Sequence, residues 1–273
     1  MLITDKIIYY ELQKTGSTHT RQVLAALHAG NCIIKGKHNS GRSLPRQVIG
    51  DFSSKLKVGN IRNPWDWYVS LWASGCMHRG GLFQRLTYQP GLTSWKGWDT
   101  IWQRFIKRMR LFPDVNRFYE LYADAGNVQN FREWLKLILV QDKISIGEKF
   151  KESAIADAAG LYTYRYLKLY TYTGKKVRKI RTMREAVSKD RQYNFIDLIL
   201  RNETLHAELV ANARLLGSDP ETVRKVLRNF SSRINRSYRK NYQYYYDQET
   251  AALVAAKEKL IIDKFNYSFE KQT

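Results

Sequence analysis

Short apolar runs alternate with longer amphipathic runs along the first third of the chain, and this alternation predicts strands and helices in turn. An apolar run at residues 6–12 predicts a strand, and apolar side chains on one face of residues 17–27 predict a helix. Residues 31–34 and 56–61 predict two further strands, and a helix beginning at Pro64 is favoured because proline suits the first helical position. Strands that alternate with helices are typical of an α/β fold, with a parallel central sheet flanked by helices.

The middle of the chain has a different pattern, in which apolar residues recur at helical spacing between polar ones. This pattern predicts a largely helical insertion at about residues 75–190, after which residues 195–201 return to a strand pattern. No repeat or proline-rich linker divides the sequence, which has 273 residues and only 5 prolines. We therefore expect a single domain over residues 1–273 that contains the insertion.

The first candidate for chemistry is the polar junction between the strand predicted at residues 6–12 and the helix after it. A glycine there lets an anion approach the amides at the helix start, whose dipole favours negative charge, and a lysine and three hydroxyls add charge and donors. The residues predicted to bind an anion in this way are Lys14, Thr15, Gly16, Ser17 and Thr18. Because the junction lacks the upstream glycine of a Walker-type P-loop, an ordinary nucleoside-triphosphate site is disfavoured.

The second candidate lies where the strand predicted at residues 56–61 meets the next helix. Arg62 ends the strand, and Ser70 follows eight residues later, inside the helix. An arginine fork and a serine hydroxyl can converge on one phosphate from these two elements. Asn63 is the predicted N-cap of the helix, and Asp66 suits the positive end of the helix dipole.

Together the two junctions resemble the phosphate clamps of sulfotransferases that use 3′-phosphoadenosine 5′-phosphosulfate (PAPS), in the style of carbohydrate O-sulfotransferases. Residues 201–205, 234–240 and 263–269 are also similar to runs in this family, so the resemblance brackets the chain. It implies a P-loop-like sulfotransferase fold in which the first loop grips the 5′-phosphosulfate and Lys14 lies near the bridging oxygen.

The resemblance also assigns the other end of the nucleotide. It implies that Arg62 and Ser70 bind the 3′-phosphate, and that Ser237 and Lys240 belong to a late loop that closes over the nucleotide. PAPS would then be the co-substrate, and 3′-phosphoadenosine 5′-phosphate (PAP) the product. No metal is expected, because the five histidines show no metal-ligand spacing.

Transfer of a sulfuryl group to a hydroxyl by in-line displacement needs positioning, positive charge on the leaving phosphate, and a base for the acceptor. Lys14 is expected to supply charge, and His38 is the predicted base because its loop follows the strand predicted at residues 31–34. The ordinary histidine pKa, near 6.5, suits proton abstraction at neutral pH. Several glycan O-sulfotransferases use a histidine from a comparable region, whereas others use a glutamate. Glu11 is therefore the main rival, and His19 and His78 are weaker candidates.

Charge suggests the class of partner. The chain has 46 Lys and Arg residues against 25 Asp and Glu residues, a formal net charge of +21, and such a field attracts anions. The expected acceptor bears a hydroxyl, on a carbohydrate or another small molecule, and an anionic glycan is one candidate. Two alternatives remain: a nucleotide-dependent phosphotransferase, and a basic non-catalytic protein that binds nucleic acid. The first lacks its loop, and no nucleic-acid module is recognisable, so specific nucleic-acid binding is not expected.

The cellular location is predicted from the lack of an apparent membrane-spanning run and of an apparent secretory leader. It has no run of about 18 apolar residues, which a membrane-spanning helix needs, and residues 1–12 do not read as a secretory leader. We therefore expect a cytoplasmic protein without a membrane span. The two cysteines, Cys32 and Cys76, are expected to be reduced.

Overall fold

The computed structural model describes residues 1–34, 52–87, 115–140, 146–230 and 239–270. Within these ranges one sheet has the strand order β3-β1-β2-β4-β5. Its strands are β1 (Leu2–Thr4), β2 (Ile7–Tyr10), β3 (Cys32–Ile34), β4 (Leu56–Ile61) and β5 (Leu198–Arg201). The sheet and the helices around it agree with the predicted α/β class.

The sheet is parallel at its centre and antiparallel on one side. β2 pairs in parallel with β4, and β4 with β5, as the alternation of strands and helices predicts. The strand β1, which was not predicted, pairs antiparallel with both β2 and β3. A tight turn permits this hairpin, because the Thr4 hydroxyl accepts hydrogen bonds from the amides of Lys6 and Ile7. Since β3 is antiparallel to β1, it runs in the same direction as β2.

Helices surround the sheet and fill the described part of the middle of the chain. They are α1 (Ser17–Leu27), α2 (Pro64–Cys76), α3 (Gly81–Leu86), α4 (Val128–Leu139), α5 (Ile155–Ala158), α6 (Leu161–Tyr170), α7 (Met183–Tyr193), α8 (Leu205–Ala211), α9 (Pro220–Asn229), α10 (Gln248–Lys257) and α11 (Lys259–Phe265). Residues 115–121 are also helical, and Gly174–Lys179 and Tyr242–Tyr245 form 3₁₀ turns.

The start of α2 follows from its sequence. The Asn63 side chain accepts hydrogen bonds from the amides of Trp65, at 3.0 Å, and Asp66, at 3.4 Å, and Pro64 occupies the first turn. These contacts satisfy amides that the helix itself leaves unpaired. The predicted N-cap is thereby confirmed.

Two hydrophobic clusters cover the two faces of the sheet. Side chains alternate between the faces along β2: Ile8 and Tyr10 join the larger cluster with α2, α4 and α6, whereas Ile7 and Tyr9 join the smaller one with α1, α8 and α9. The larger cluster is rich in aromatic side chains, and Trp67 is fully buried in it. This packing fixes the carboxyl ends of β2 and β4, from which both candidate junctions leave the sheet.

None of the helices in the described ranges is long and apolar enough to cross a membrane.

Candidate anion-binding site

The turn after β2 has a backbone conformation that exposes the start of α1. Lys14 and Gly16 both have positive φ, 61° and 78°, and Gly16 is the N-cap of α1 without a side-chain capping bond. A Cβ atom on Gly16 would lie 2.5 Å from Asn202 Oδ1. The position therefore needs glycine both for its φ and for the close approach of Asn202.

The amino end of α1 presents donors. The first bond inside the helix runs from the amide of Thr20 to the carbonyl of Gly16, so the amides of Ser17 and Thr18 come before the ladder begins. The Ser17 side chain is mostly buried, and Thr18 is half-buried. Thr15 was predicted to donate its hydroxyl to the anion, but the structure shows a different role. Thr15 is fully buried, and its hydroxyl donates to the carbonyl of Leu12 at 2.8 Å. Thr15 thus holds the shape of the loop.

The two junctions, 48 residues apart in sequence, touch each other. The guanidinium of Arg62 donates through Nη1 to the backbone carbonyl of Lys14 at 2.9 Å. Its Nε and Nη2 atoms both contact Asp66 Oδ2, at 2.7 Å and 2.6 Å. The Arg62 side chain is only 12% exposed, so the fork is fixed between the loop and α2.

Asp66 is shared by two arginines. Its second oxygen contacts Nη2 of Arg239, which approaches from the late part of the chain. Burial alone would raise the pKa of Asp66, but the guanidiniums of Arg62 and Arg239 outweigh burial and lower that pKa. Asp66 therefore stays ionised and does more than complement the helix dipole. Arg239 was not predicted as a site residue, because the basic run around it does not show which side chain turns inward.

Lys14 completes a concentration of positive charge. Burial lowers the pKa of Lys14 to about 8, and the nearby charges of Arg62, Arg239 and Arg79 act in the same direction. Among the described residues, Asp66 is the carboxylate that pairs with both Arg62 and Arg239. Burial is the larger cause of the lowered pKa, and the repulsion between the cations adds to it. A bound anion would relieve this repulsion.

Ser70 lies one helical turn after Asp66 on α2, so the two side chains share a face of the helix. The serine is 8% exposed. Ser70 is thus on the side of α2 that carries the Arg62–Asp66 pair.

Aromatic side chains hold both junctions in place. The Tyr162 hydroxyl accepts from the amide of Arg62 at 2.9 Å and lies 3.1 Å from its carbonyl. The ring of Tyr162 stacks on Trp67, with centroids 4.4 Å apart and planes 10° apart. The indole N–H of Trp67 in turn donates to the carbonyl of Gln13 at 2.6 Å. Trp67 therefore supports the structure, and neither it nor the 4%-exposed Trp65 presents an open face to a ligand.

The segment after β5 contacts both junctions. Asn202 packs against Gly16, and the carboxylate of Glu203 accepts from the amide of Asn63 at 2.7 Å. Tyr267 donates to the other Glu203 oxygen at 3.2 Å. With Arg239 from residues 234–240, each of the three runs that carry the family resemblance thus contributes a residue at the two junctions.

A group of rings lies beside the start of α1. The Nε2 atoms of His19 and His206 are 3.0 Å apart, their rings stack with centroids 5.0 Å apart, and the Phe230 ring meets His19 edge-on at 6.4 Å. An open groove of about 710 Å³ begins at His206. Its lining is His206, Ala207, Val210, Ala211, Arg224, Leu227 and Arg228.

The other candidates for the base differ in their surroundings. Glu11 is fully buried, with Oε1 2.6 Å from the amino nitrogen of Met1 and 3.5 Å from Arg21, so the acceptor cannot reach it without rearrangement. His78 is exposed and stacks on Phe83 at 5.0 Å. His38, the predicted base, lies outside the described residues.

The late loop is described only in part. Lys240 is exposed, and its ammonium lies 3.9 Å from the centre of the Tyr244 ring, while its amide donates to the hydroxyl of Tyr245. Ser237 lies outside the described residues. Arg239, next to Lys240, is the residue of this loop that reaches the candidate site.

The remaining reactive side chains form no second centre. Cys32 and Cys76 are free thiols, and burial raises the pKa of Cys76 to about 12, so this thiol is unreactive at neutral pH. In the described ranges no three His, Cys, Asp or Glu side chains are grouped to hold a metal ion.

No protein-family model matches the chain, and neither a curated protein nor a solved structure matches it. The residues that meet at the two junctions therefore carry the functional argument.

Proposed function

We propose that the protein is a sulfotransferase that moves a sulfuryl group from PAPS to an acceptor hydroxyl by in-line displacement, releasing PAP. The observation that carries the proposal is the 2.9 Å contact between Arg62 Nη1 and the Lys14 carbonyl. It joins two junctions, each with the features of a phosphate-binding element, into one cationic site. A donor with two separate phosphate-bearing ends suits such a site.

The distribution of charge supports a donor of this kind. Lys14 and the free amides of α1 would stabilise the charge that develops on the leaving 5′-phosphate. Arg62, Arg239 and Ser70 would bind the 3′-phosphate, with Asp66 fixing both guanidiniums. Arg239 would thus join Ser237 and Lys240, which the resemblance predicts to lie beside the nucleotide.

The rings near the start of α1 support a nucleotide with a base at that end. His19, His206 and Phe230 offer flat and edge-on surfaces next to the anion-binding loop. Any nucleobase can stack on such rings, because every base has a π face. We assign the adenine to this group of rings.

The acceptor, the base and the location complete the proposal. The net charge of +21 favours an anionic acceptor, and we keep a carbohydrate hydroxyl as the acceptor class. His38 is kept as the base, since the buried ion pair of Glu11 makes that carboxylate a poor alternative. Two free thiols fit a reducing compartment and support a cytoplasmic location.

Calorimetric titration of PAP, with adenosine 5′-phosphate and ATP alongside, tests the donor site. We expect PAP to bind at least tenfold more tightly than adenosine 5′-phosphate, because only PAP carries the group that Arg62 binds. Arg62→Ala should remove this difference. Arg117→Ala is the matched control, since Arg117 is a half-exposed arginine that pairs only with Glu133 among the described residues.

Two results would contradict the sulfotransferase assignment. One is the absence of PAP binding, and the other is ATP binding as tight as that of PAP. The second result would favour the nucleotide-dependent phosphotransferase.

A further inference from the structure

A second cationic cluster lies beside Trp67. It consists of Arg165 and Lys168 on α6, Arg85 on α3, and Glu148 between them. The guanidinium carbon of Arg165 is 5.7 Å from the centre of the Trp67 ring. None of these four side chains has a role in the proposed donor site.

The hydrogen bonding of Arg165 is incomplete. Its Nε atom is 3.1 Å and its Nη2 atom 3.0 Å from Glu148 Oε1. The side chain is only 7% exposed. Its Nη1 atom is buried and has no hydrogen-bond partner among the described residues. A buried charged donor left without an acceptor is costly, so an unpaired one calls for an explanation.

Positive charge exceeds negative charge in this cluster. Lys168 Nζ lies 2.9 Å from the second oxygen of Glu148. The guanidinium of Arg85 packs so closely on Gly147 that a Cβ there would lie 2.0 Å from its Nη1. Arg165 and Lys168 thus share one carboxylate, and the repulsion from Arg85 adds to burial in lowering the pKa of Arg165.

The loop that carries Glu148 has an uncommon backbone. Gly147, Glu148 and Lys149 have φ of 77°, 58° and 58°, three consecutive residues in the left-handed region. Non-glycine residues adopt this conformation at an energetic cost, and such residues concentrate at ligand sites. Here the conformation directs the Glu148 carboxylate at Arg165 and Lys168.

The cluster is near the donor site and open on one side. Trp67 contacts Arg165 and also donates to the carbonyl of Gln13, the residue before Lys14. One indole therefore separates the cluster from the loop that would hold the transferable group. Lys168 is 40% exposed, so the edge of the cluster at Lys168 faces solvent.

We propose that Arg165, Lys168 and Arg85 form an acceptor subsite that binds an anionic group of the substrate, a carboxylate or a sulfate ester. The anion would accept from Nη1 of Arg165 and balance the excess charge, while the acceptor hydroxyl lies at the Lys14 loop. This inference rests on the proposed sulfotransferase function and names its substrate class as anionic.

Two glycosides that differ only at C6, which is a carboxylate in one and a hydroxymethyl group in the other, test the subsite: 4-nitrophenyl β-D-glucuronide and 4-nitrophenyl β-D-glucoside. Each is titrated by calorimetry into the full chain saturated with PAP. We expect the glucuronide to bind at least tenfold more tightly than the glucoside. Arg165→Gln and Lys168→Gln should each reduce this preference, whereas Arg165→Lys should retain part of it. Lys176→Gln, a change at an exposed lysine on the neighbouring 3₁₀ turn, is the control.

The outcomes separate this inference from the donor assignment. Equal affinity for the two glycosides, no binding of either, or a preference that survives both glutamine variants would overturn the subsite, even if PAP binds. Because Lys168 lies at the rim, its variant keeps the test valid if Arg165→Gln does not fold. Failure of PAP itself to bind would overturn the sulfotransferase assignment instead.

Discussion

Among the lysines that the structure describes, Lys14 has the environment that differs most from that of an ordinary surface lysine. Burial and three arginines lower its pKa to about 8, compared with 10.5 for an unperturbed side chain. The free protein thus keeps a cation under repulsion at the point where the proposed leaving phosphate binds. An anion favours the charged form, so binding and protonation of Lys14 are linked.

The affinity for PAP should therefore fall as the pH rises above about 8. Below that pH Lys14 is already charged and contributes no pH dependence; above it, the free protein must take up a proton to bind. The 3′-phosphate is fully ionised over this range, since its second pKa is about 6. Calorimetry from pH 7 to 10 measures the effect, and Lys14→Arg should give a flatter profile. Constant wild-type affinity up to pH 9.5 would contradict the linkage.

Two glycines provide a matched test of the loop. Gly16 and Gly30 both have positive φ, but an added Cβ meets Asn202 at Gly16 and nothing within 4 Å at Gly30. Both alanine variants should lose about 1 kcal/mol of unfolding free energy from backbone strain, and Gly16→Ala should lose a further 1–2 kcal/mol or so from the clash. Of the two variants, only Gly16→Ala should weaken PAP binding.

Urea unfolding and PAP titration of both variants measure these effects. Similar losses in stability and affinity for the two glycines would show that Asn202 does not restrict the loop.

At the scale of elements, the predictions succeeded where the pattern was long enough to be unambiguous. The strands at Ile7–Tyr10 and Leu56–Ile61 and the helices that follow them lie where apolar periodicity and Pro64 predict them. β1 has only three residues, too few for alternation to be visible, so its antiparallel pairing was missed. Arg239 was missed because its partner, Asp66, is 173 residues away.

Contacts between elements also determine how α6 is held. Glu258, at the junction of α10 and α11, is fully buried beneath the amino end of α6. It accepts hydrogen bonds from the amides of Tyr162 and Thr163, at 3.2 Å and 2.8 Å, and from the hydroxyls of Thr163 and Tyr68. Burial raises the pKa of Glu258 to about 7, although these donors act against the increase. The carboxylate thereby fixes the helix whose Tyr162 holds Arg62.

This buried carboxyl should make the protein less stable as the pH rises from about 4.5 to 7. In that range the folded protein keeps the proton on Glu258, whereas the unfolded chain has lost it, so each increase in pH favours unfolding. The shift corresponds to about 3 kcal/mol between the two ends of the range. Urea unfolding at pH 5 and pH 8 measures the difference. Glu258→Gln, which cannot titrate, should show a smaller one, and an unchanged difference would exclude Glu258 as the cause.

At the scale of the whole molecule, the apolar core supports the two junctions, whereas the positive charge attracts anions. The two faces of the sheet are closed by separate apolar clusters, and the larger of these carries the aromatic side chains behind both junctions. The excess of 21 positive charges acts over distances of the order of the Debye length, about 8 Å at physiological salt. The buried cations of the site are screened less than those of the surface.

Salt should therefore separate surface binding from site binding. We expect double-stranded DNA to bind at 50 mM NaCl without sequence preference and to lose at least a hundredfold in affinity by 300 mM, because many exposed cations release counterions. PAP should lose far less over the same range. Fluorescence anisotropy with two unrelated duplexes and parallel calorimetry with PAP give both slopes. Sequence-dependent DNA binding that resists salt would support the nucleic-acid-binding alternative.

The position of Trp67 gives the molecule an optical reporter of its own. Its indole N–H is bonded to the carbonyl before Lys14, its ring lies against Tyr162, and the Arg165 guanidinium is close to the ring. Indole emission shifts with the charge and polarity around the ring. Occupancy of the loop and of the neighbouring cluster would therefore both change the emission of this indole, which a Trp67→Phe variant separates from the emission of the other six tryptophans.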